Sequence, residues 1–170
     1  MPIFNKKWFC EDDVPGIRSK KIQHCFFINK LVFKGKTDYQ DIVIFDNPVY
    51  GRVLALDGIV QLSEKDEHMY HEVIVHPVLF SHPNCKKVLI VGGGDGGALR
   101  EALKHPIEEV YLVDIDKEAV GIFKKYLSFV SQQAFKDKRV KIFFRDGVKF
   151  IKDFQDYFDL IIIDSNDPMG

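Results

Sequence analysis

LIVGGGDGGALRE, residues 89–101, leads from an apolar stretch at 88–91 into six residues of which five are glycine, and then into a helical pattern from about Ala98. A short apolar run bounded by glycine reads as a strand buried on both faces, and the glycines as a tight turn into a helix. Gly92, Gly94 and Gly97 satisfy the G-x-G-x-x-G spacing of loops that bring backbone N–H groups to a phosphate. Asp95 stands in the middle of that loop, and its carboxylate needs a reason.

Further along, apolar runs at 110–113, 140–144 and 160–163 alternate with helical stripes. These are Leu99, Ala102 and Leu103; Val120, Phe123 and Leu127; and Val148, Ile151 and Phe154. Alternation of buried strands with amphipathic helices predicts a doubly wound α/β sheet. Upstream, strands are expected at 26–33, 41–45, 52–56 and 59–62, punctuated by Asn47-Pro48 and by Asp57-Gly58, a strong two-residue hairpin signal. They predict a small antiparallel sheet. From Asp66 the period becomes helical, with Met69 and Val73 on one stripe and Tyr70 and Ile74 beside it, to at least His76; Pro77 is expected to kink or end this helix. The organisation expected is an N-terminal β-strand unit over 1–63 and an α/β unit over 64–170.

The composition, 46% apolar and 29% charged, is that of a globular protein, and a net charge of −1 with a pI near 6.6 offers no general attraction to nucleic acid or an anionic membrane. No apolar run approaches the roughly 20 residues of a membrane span, and no signal peptide is read at the start. Cys10, Cys25 and Cys85 are odd in number and widely spaced. They are expected as three free thiols in a reducing compartment, which points to a cytoplasmic location.

In an open α/β sheet, ligands bind beyond the carboxyl ends of the strands. Every such end here carries acid: Asp95, then Asp114 and Asp116, then Asp146 before Gly147, then Asp164 and Asp167. Each taken alone is as well explained by a cap or a turn; Asp146 could cap the third helix, and 165–168 could be turn chemistry. Their convergence on one rim is the stronger observation. Asp114 lies at the distance expected of a ribose-binding acid, which makes an NAD-dependent dehydrogenase the rival reading. Asp95 argues against it, because a carboxylate a few ångströms from a phosphate costs about 4 kcal/mol at an effective dielectric near 20. The acid suits a cationic nucleoside such as a sulfonium of the S-adenosylmethionine type. Asp95, Asp164 and Asp167 together suit a second reactant with more than one positive charge, most economically a diamine.

The histidines at 68, 71 and 76 lack the His-Glu-x-x-His spacing of a zinc helix and, from the residues alone, read as structural.

These residues resemble the spermidine synthases, or more broadly the aminopropyltransferases. The resemblance rests on TDYQDIVIF (37–45), YGRVLALDGIVQLSEKDE (50–67), YHE (70–72), VLIVGGGDGGALRE (88–101), DG (146–147) and DSNDPMG (164–170), in order and with consistent gaps. It implies a Rossmann-like, methyltransferase-type domain, here ending after its fourth strand, behind an N-terminal sheet that takes part in forming dimers or tetramers. It also implies transfer of an aminopropyl group from decarboxylated S-adenosylmethionine to putrescine, giving spermidine and methylthioadenosine, with no metal or other cofactor. On the same resemblance Gln40, Gly92, Gly94, Asp114, Asp146 and Gly147 hold the nucleoside. Gln61, Tyr70, His71, Asp95, Asp164 and Asp167 meet the amine, with Asp164 as proton acceptor, while His68 and His76 stay structural. Two departures stand out. Asp114 occupies a position where the family commonly has Glu, and the chain stops at Gly170, where family members continue through a mobile loop and further strands. Stopping there would leave the fourth strand with an unpaired edge, and a non-catalytic nucleoside-binding or oligomerising module is the reading of another class.

Overall fold

The computed structural model describes residues 7–11 and 23–165. The chain divides at 66/67 into two compact units.

In the first unit, β1 (Trp8–Cys10) and β2 (Cys25–Phe27) form an antiparallel pair, and β3 (Lys30–Lys36), β4 (Asp41–Asn47), β5 (Gly51–Leu56) and β6 (Ile59–Ser63) form an antiparallel meander in that order. Asp57 and Gly58 both take positive φ, 49° and 82°, the conformation whose twist matches two paired strands. Between β4 and β5 the Asn47 side chain accepts the N–H groups of Val49 and Tyr50 at 2.8 and 2.9 Å, closing that turn. Phe9, Val43, Phe45, Val53 and Ala55 form the core.

Two expectations are corrected here. The strand expected at 26–33 is two strands. Ile28 still donates its N–H to Lys7, whereas Asn29 donates to Asp46, so the chain changes partner between them. Apolar periodicity runs through such a change without a mark. The second concerns the cysteines: Cys10 and Cys25 are joined in a disulfide, and only Cys85 is free and buried. The β1–β2 register sets Cys10 opposite Cys25, their Cα atoms 4.0 Å apart. Cross-strand pairs at non-hydrogen-bonded positions approach most closely, and the pairing follows from this register; Pro15-Gly16, between the two cysteines, is a turn signal that the reading of the sequence did not use. The inference from free thiols to a reducing compartment falls with the disulfide.

In the second unit, β7 (Lys87–Gly92), β8 (Glu109–Asp114), β9 (Val140–Phe144) and β10 (Leu160–Asp164) form a parallel sheet in the order β10-β7-β8-β9. The helices are α1 (Glu67–Ser81), α2 (Gly97–Ala102), α3 (Lys117–Tyr126), α4 (Ser128–Ser131) and α5 (Gly147–Ile151). Successive strand residues point to opposite faces. Val88 and Ile90 therefore pack with Val75, Leu79, Ala98 and Leu99 on one side, while Leu89 packs with Tyr111, Val113 and Phe150 on the other. After β7 the chain winds outward through β8 and β9 and then returns to place β10 on β7's other side. The strand order thus reverses at β7, and its carboxyl end opens on a crevice.

Helix α1 is not ended by Pro77, and its buried stripe differs from the one expected. It continues through Pro77 to Ser81. The carbonyl that Pro77 leaves without an N–H belongs to Val73, on the exposed face, where solvent can serve it. The buried stripe is Glu67, His71, Val75 and Leu79, whereas Met69 and Val73 are 62% and 69% exposed. Counting apolar residues selects the wrong stripe because two of the buried positions are ionisable.

Among the described residues β10 pairs only with β7, and Ile163 on its surface is 71% exposed. An edge strand carrying apolar side chains invites pairing with another chain. Ile163→Lys is accordingly expected to reduce concentration-dependent light scattering; unchanged scattering would show that this edge does not drive association.

Candidate active site

The crevice is built from the turn after β7. Gly92 takes φ 82°, and a Cβ there would overlap the Asp164 carbonyl oxygen, so only glycine lets the chain turn this close to β10. Gly97, the first residue of α2, lies so close to the His71 ring that a Cβ would collide with it. Asp95 resides between them. Its Oδ1 accepts the N–H of Gly97 at 2.6 Å and lies 3.4 Å from His71 Nε2. The carboxylate therefore serves the first N–H of α2 with one contact and holds a histidine with the other. A helix N-terminus already served by an acid is a poor seat for a phosphate.

His71 is 2% exposed, and its Nδ1 lies 2.7 Å from Glu67 Oε2, one helical turn earlier. Glu67 in turn receives Arg100 Nη1 at 2.8 Å and Nη2 at 3.1 Å. Arg100 also donates from Nε to Glu101 at 2.7 Å and from Nη1 to the Val130 carbonyl. A chain of contacts thus runs Glu101, Arg100, Glu67, His71, Asp95, buried in all but the half-buried Asp95. Burial works against a charge on His71, but hydrogen bonds to Asp95 and Glu67, with the charges of Asp95 and Asp164, outweigh it and raise the imidazole to about 10. The stabilisation from this imidazolium is fully present below its unfolded value near 6.5 and is lost as pH rises through about 10. Nitrogen-detected NMR of the ring is expected to show the doubly protonated form at pH 8; a neutral tautomer there would contradict the network.

Asp164, at the end of β10, accepts the Tyr70 hydroxyl on Oδ1 at 3.1 Å, while its Oδ2 is buried with no hydrogen-bond partner. Burial first, and then the charge of Asp95, push this carboxyl up to about 6, against the opposing influence of His71 and Tyr70. His71, Asp95 and Asp164 offer ligand atoms within 4.8 Å of one another. One imidazole and two carboxylates could accept a small cation. With both ring nitrogens of His71 protonated, the imidazole has no lone pair for a metal, and the set suits an ammonium better.

Asp114, at the end of β8, accepts the Asp116 N–H at 2.8 Å and a further N–H from Gly94; burial raises its carboxyl. Asp116 and Asp146 cap α3 and α5, accepting the N–H of Ala119 at 2.9 Å and of Lys149 at 3.0 Å. Gly147 follows Asp146 as the first residue of α5 and lies against Val91. The structure thus brings together Tyr70, His71, Asp95 and Asp164, and sets Gly94 against Asp114. Gln40, in the β3–β4 turn, and Gln61, exposed on β6, belong to the first unit. Asp167 falls outside the described residues. Sequence reasoning missed Glu67 and Arg100. The available signal was the i,i+4 spacing of Glu67 and His71; Arg100 gave none, because an arginine on a short helix is ordinarily solvated.

A doubly wound parallel sheet that turns carboxylates and a buried imidazole toward its switch point defines a class of small-ligand α/β domains. Sequence comparison narrows it. Residues 7–64 match the spermidine synthase tetramerisation domain and residues 67–170 the spermine/spermidine synthase domain. Polyamine aminopropyltransferase 1 of Aquifex aeolicus is 50% identical over 150 residues, which are 88% of this chain and 53% of that protein. Spermidine synthase of Schizosaccharomyces pombe is 49% identical over 144 residues, covering 84% and 48% respectively. The structure of Thermotoga maritima spermidine synthase superposes with a TM-score of 0.88 at 42% identity over 97% of this chain and 56% of its own. A spermidine synthase in complex with the transition state analogue AdoDATO gives 0.91 at 42% identity, over 100% and 56%. The chain belongs to the spermine/spermidine synthase family, the polyamine aminopropyltransferases, and spans about half the length of the relatives it matches.

Proposed function

We propose that the crevice transfers an aminopropyl group from decarboxylated S-adenosylmethionine to putrescine, yielding spermidine and methylthioadenosine. The observation that carries this reading is the buried, unpartnered Oδ2 of Asp164 beside Asp95. In it, Gln40, Gly92, Gly94, Asp114, Asp146 and Gly147 hold the nucleoside, and Gln61, Tyr70, His71, Asp95, Asp164 and Asp167 meet the diamine. The shorter acid at 114 still reaches a ribose hydroxyl pair.

An ammonium cannot attack carbon. The reacting nitrogen passes a proton to Asp164 Oδ2, its lone pair forms the N–C bond, and the C–S bond breaks to leave a neutral thioether, so no metal is required. Between reference values near 10 and 3.9, that proton transfer is uphill by about 8 kcal/mol. With Asp164 raised to about 6, the gap narrows to about 5 kcal/mol. Asp95 and Asp164 attract the diamine, and the imidazolium of His71 keeps Asp95 fixed.

Residues 1–63 are assigned to oligomerisation and 64–170 to the N-terminal half of the catalytic domain, the whole acting as a cytoplasmic homodimer or homotetramer. No helix among the described residues is long and apolar enough to cross a membrane. A second reading is a nucleoside-binding module without turnover. Incubation with both substrates and mass detection of methylthioadenosine and spermidine decides between them. Both products are expected; binding of methylthioadenosine without products supports the module.

A further inference from the structure

A second group of ligand-bearing side chains, separate from the Asp164 crevice, lies where α1 packs on α2. Glu72 and His76 stand one turn apart on α1, and their ligand atoms and one from Glu101 on α2 all fall within 4.8 Å of one another. His76 Nε2 is 3.0 Å from Glu101 Oε2, and its Nδ1 is 2.8 Å from His105 Nε2. The Glu101 side chain is 1% exposed. Its Oε1 accepts from Arg100, whereas the buried Oε2 faces the Lys104 ammonium at 2.5 Å and His76 Nε2 at 3.0 Å.

We propose that Glu72, His76 and Glu101 form a binding site for a divalent cation of the zinc class. One imidazole and two carboxylates are a donor set that zinc accepts, with a remaining position for water. The outer contacts that orient metal ligands are already built. A cation on Nε2 requires the His76 proton on Nδ1, which lies 2.8 Å from His105 Nε2 and can donate to it. Arg100 holds Oε1 of Glu101 and so aims Oε2 inward. Glu72 is exposed and provides the entry side. Lys104 supplies a single positive charge against two carboxylates, and its side chain is 53% exposed, free to swing into water as a dication enters.

The test uses the untagged 170-residue chain, stripped with a chelator and titrated with Zn²⁺ by calorimetry and with Co²⁺ by visible absorption. One site is expected, weakened about tenfold or more in both Glu72→Gln and His76→Ala. Glu72 is exposed, so its substitution should leave the fold intact should His76→Ala disturb it. Lys104→Met is expected to tighten binding, while Asp164→Asn and Cys85→Ser leave it unchanged. The proposal is overturned by absence of binding, by binding insensitive to Glu72→Gln, or by binding lost in Asp164→Asn or Cys85→Ser.

Discussion

Arg100→Ala is expected to destabilise the α/β unit by about 3–5 kcal/mol, the cost of leaving one side of a buried ion pair uncompensated. Arg100 is 8% exposed, and its guanidinium binds Glu67 through two nitrogens, Glu101 through a third and the Val130 carbonyl. Without it two carboxylates stay buried, and His71 loses the partner that fixes Glu67. In a chain of this size the melting temperature should fall by about 10 °C. Burial opposes charge on Glu67 and Glu101, but hydrogen bonds from His71 and Arg100 to the first, and from Lys104 and Arg100 to the second, hold both below the usual glutamate value. Depressed acids contribute stability above their unfolded value near 4.5, and lose it as pH falls through the folded one. The gap between wild type and variant should therefore be widest at neutral pH and close toward acid. Arg100→Lys restores charge without the two-pronged geometry and should recover only part. A melting temperature within about 2 °C of wild type for Arg100→Ala would show the network to be dispensable.

Asp164→Asn should have opposite effects on stability and turnover. The carboxyl is raised from 3.8 to about 6, so its deprotonated form is disfavoured in the folded state. A raised acid contributes stability below its unfolded value, and that contribution disappears as pH rises through about 6. At pH 8 the native aspartate is thus a liability, and asparagine of the same shape should raise the melting temperature. The advantage should fade toward pH 4, near the unfolded value. Turnover, by contrast, should drop about 10²- to 10⁴-fold with loss of the proton acceptor. Thermal scans across pH and product assays on the same preparation test both halves. A variant both less stable at pH 8 and fully active would remove Asp164 from the role assigned to it.

The α/β sheet was legible because its strands are continuous apolar runs and its turns are marked by glycine and aspartate; the Asp57-Gly58 hairpin was legible for the same reason. The acid-bearing rim followed from strand ends alone. What stayed hidden depended on partners distant in sequence. The break at Ile28–Asn29 is a change of neighbour within one apolar pattern. Cys10 and Cys25 meet only through the register of β1 against β2. Glu67 and Arg100 look like solvated surface until α2 is seen to be buried along its whole length. Asp95 was read as a lure for a cation. The structure adds that it also accepts the first N–H of α2 and anchors His71, so its structural role and the proposed functional one coincide in a single carboxylate.

The central claim is that Asp164 and Asp95 form an amine-binding anionic pocket at the switch point of the sheet. Calorimetric titration of putrescine into the methylthioadenosine-saturated 170-residue protein, alongside its Asp164→Asn variant, tests it most directly. Saturable binding weakened about tenfold or more in the variant is expected, since a charge-assisted contact is worth at least 1.4 kcal/mol. Equal affinity in the two folded proteins, or no putrescine binding by either, would contradict the account.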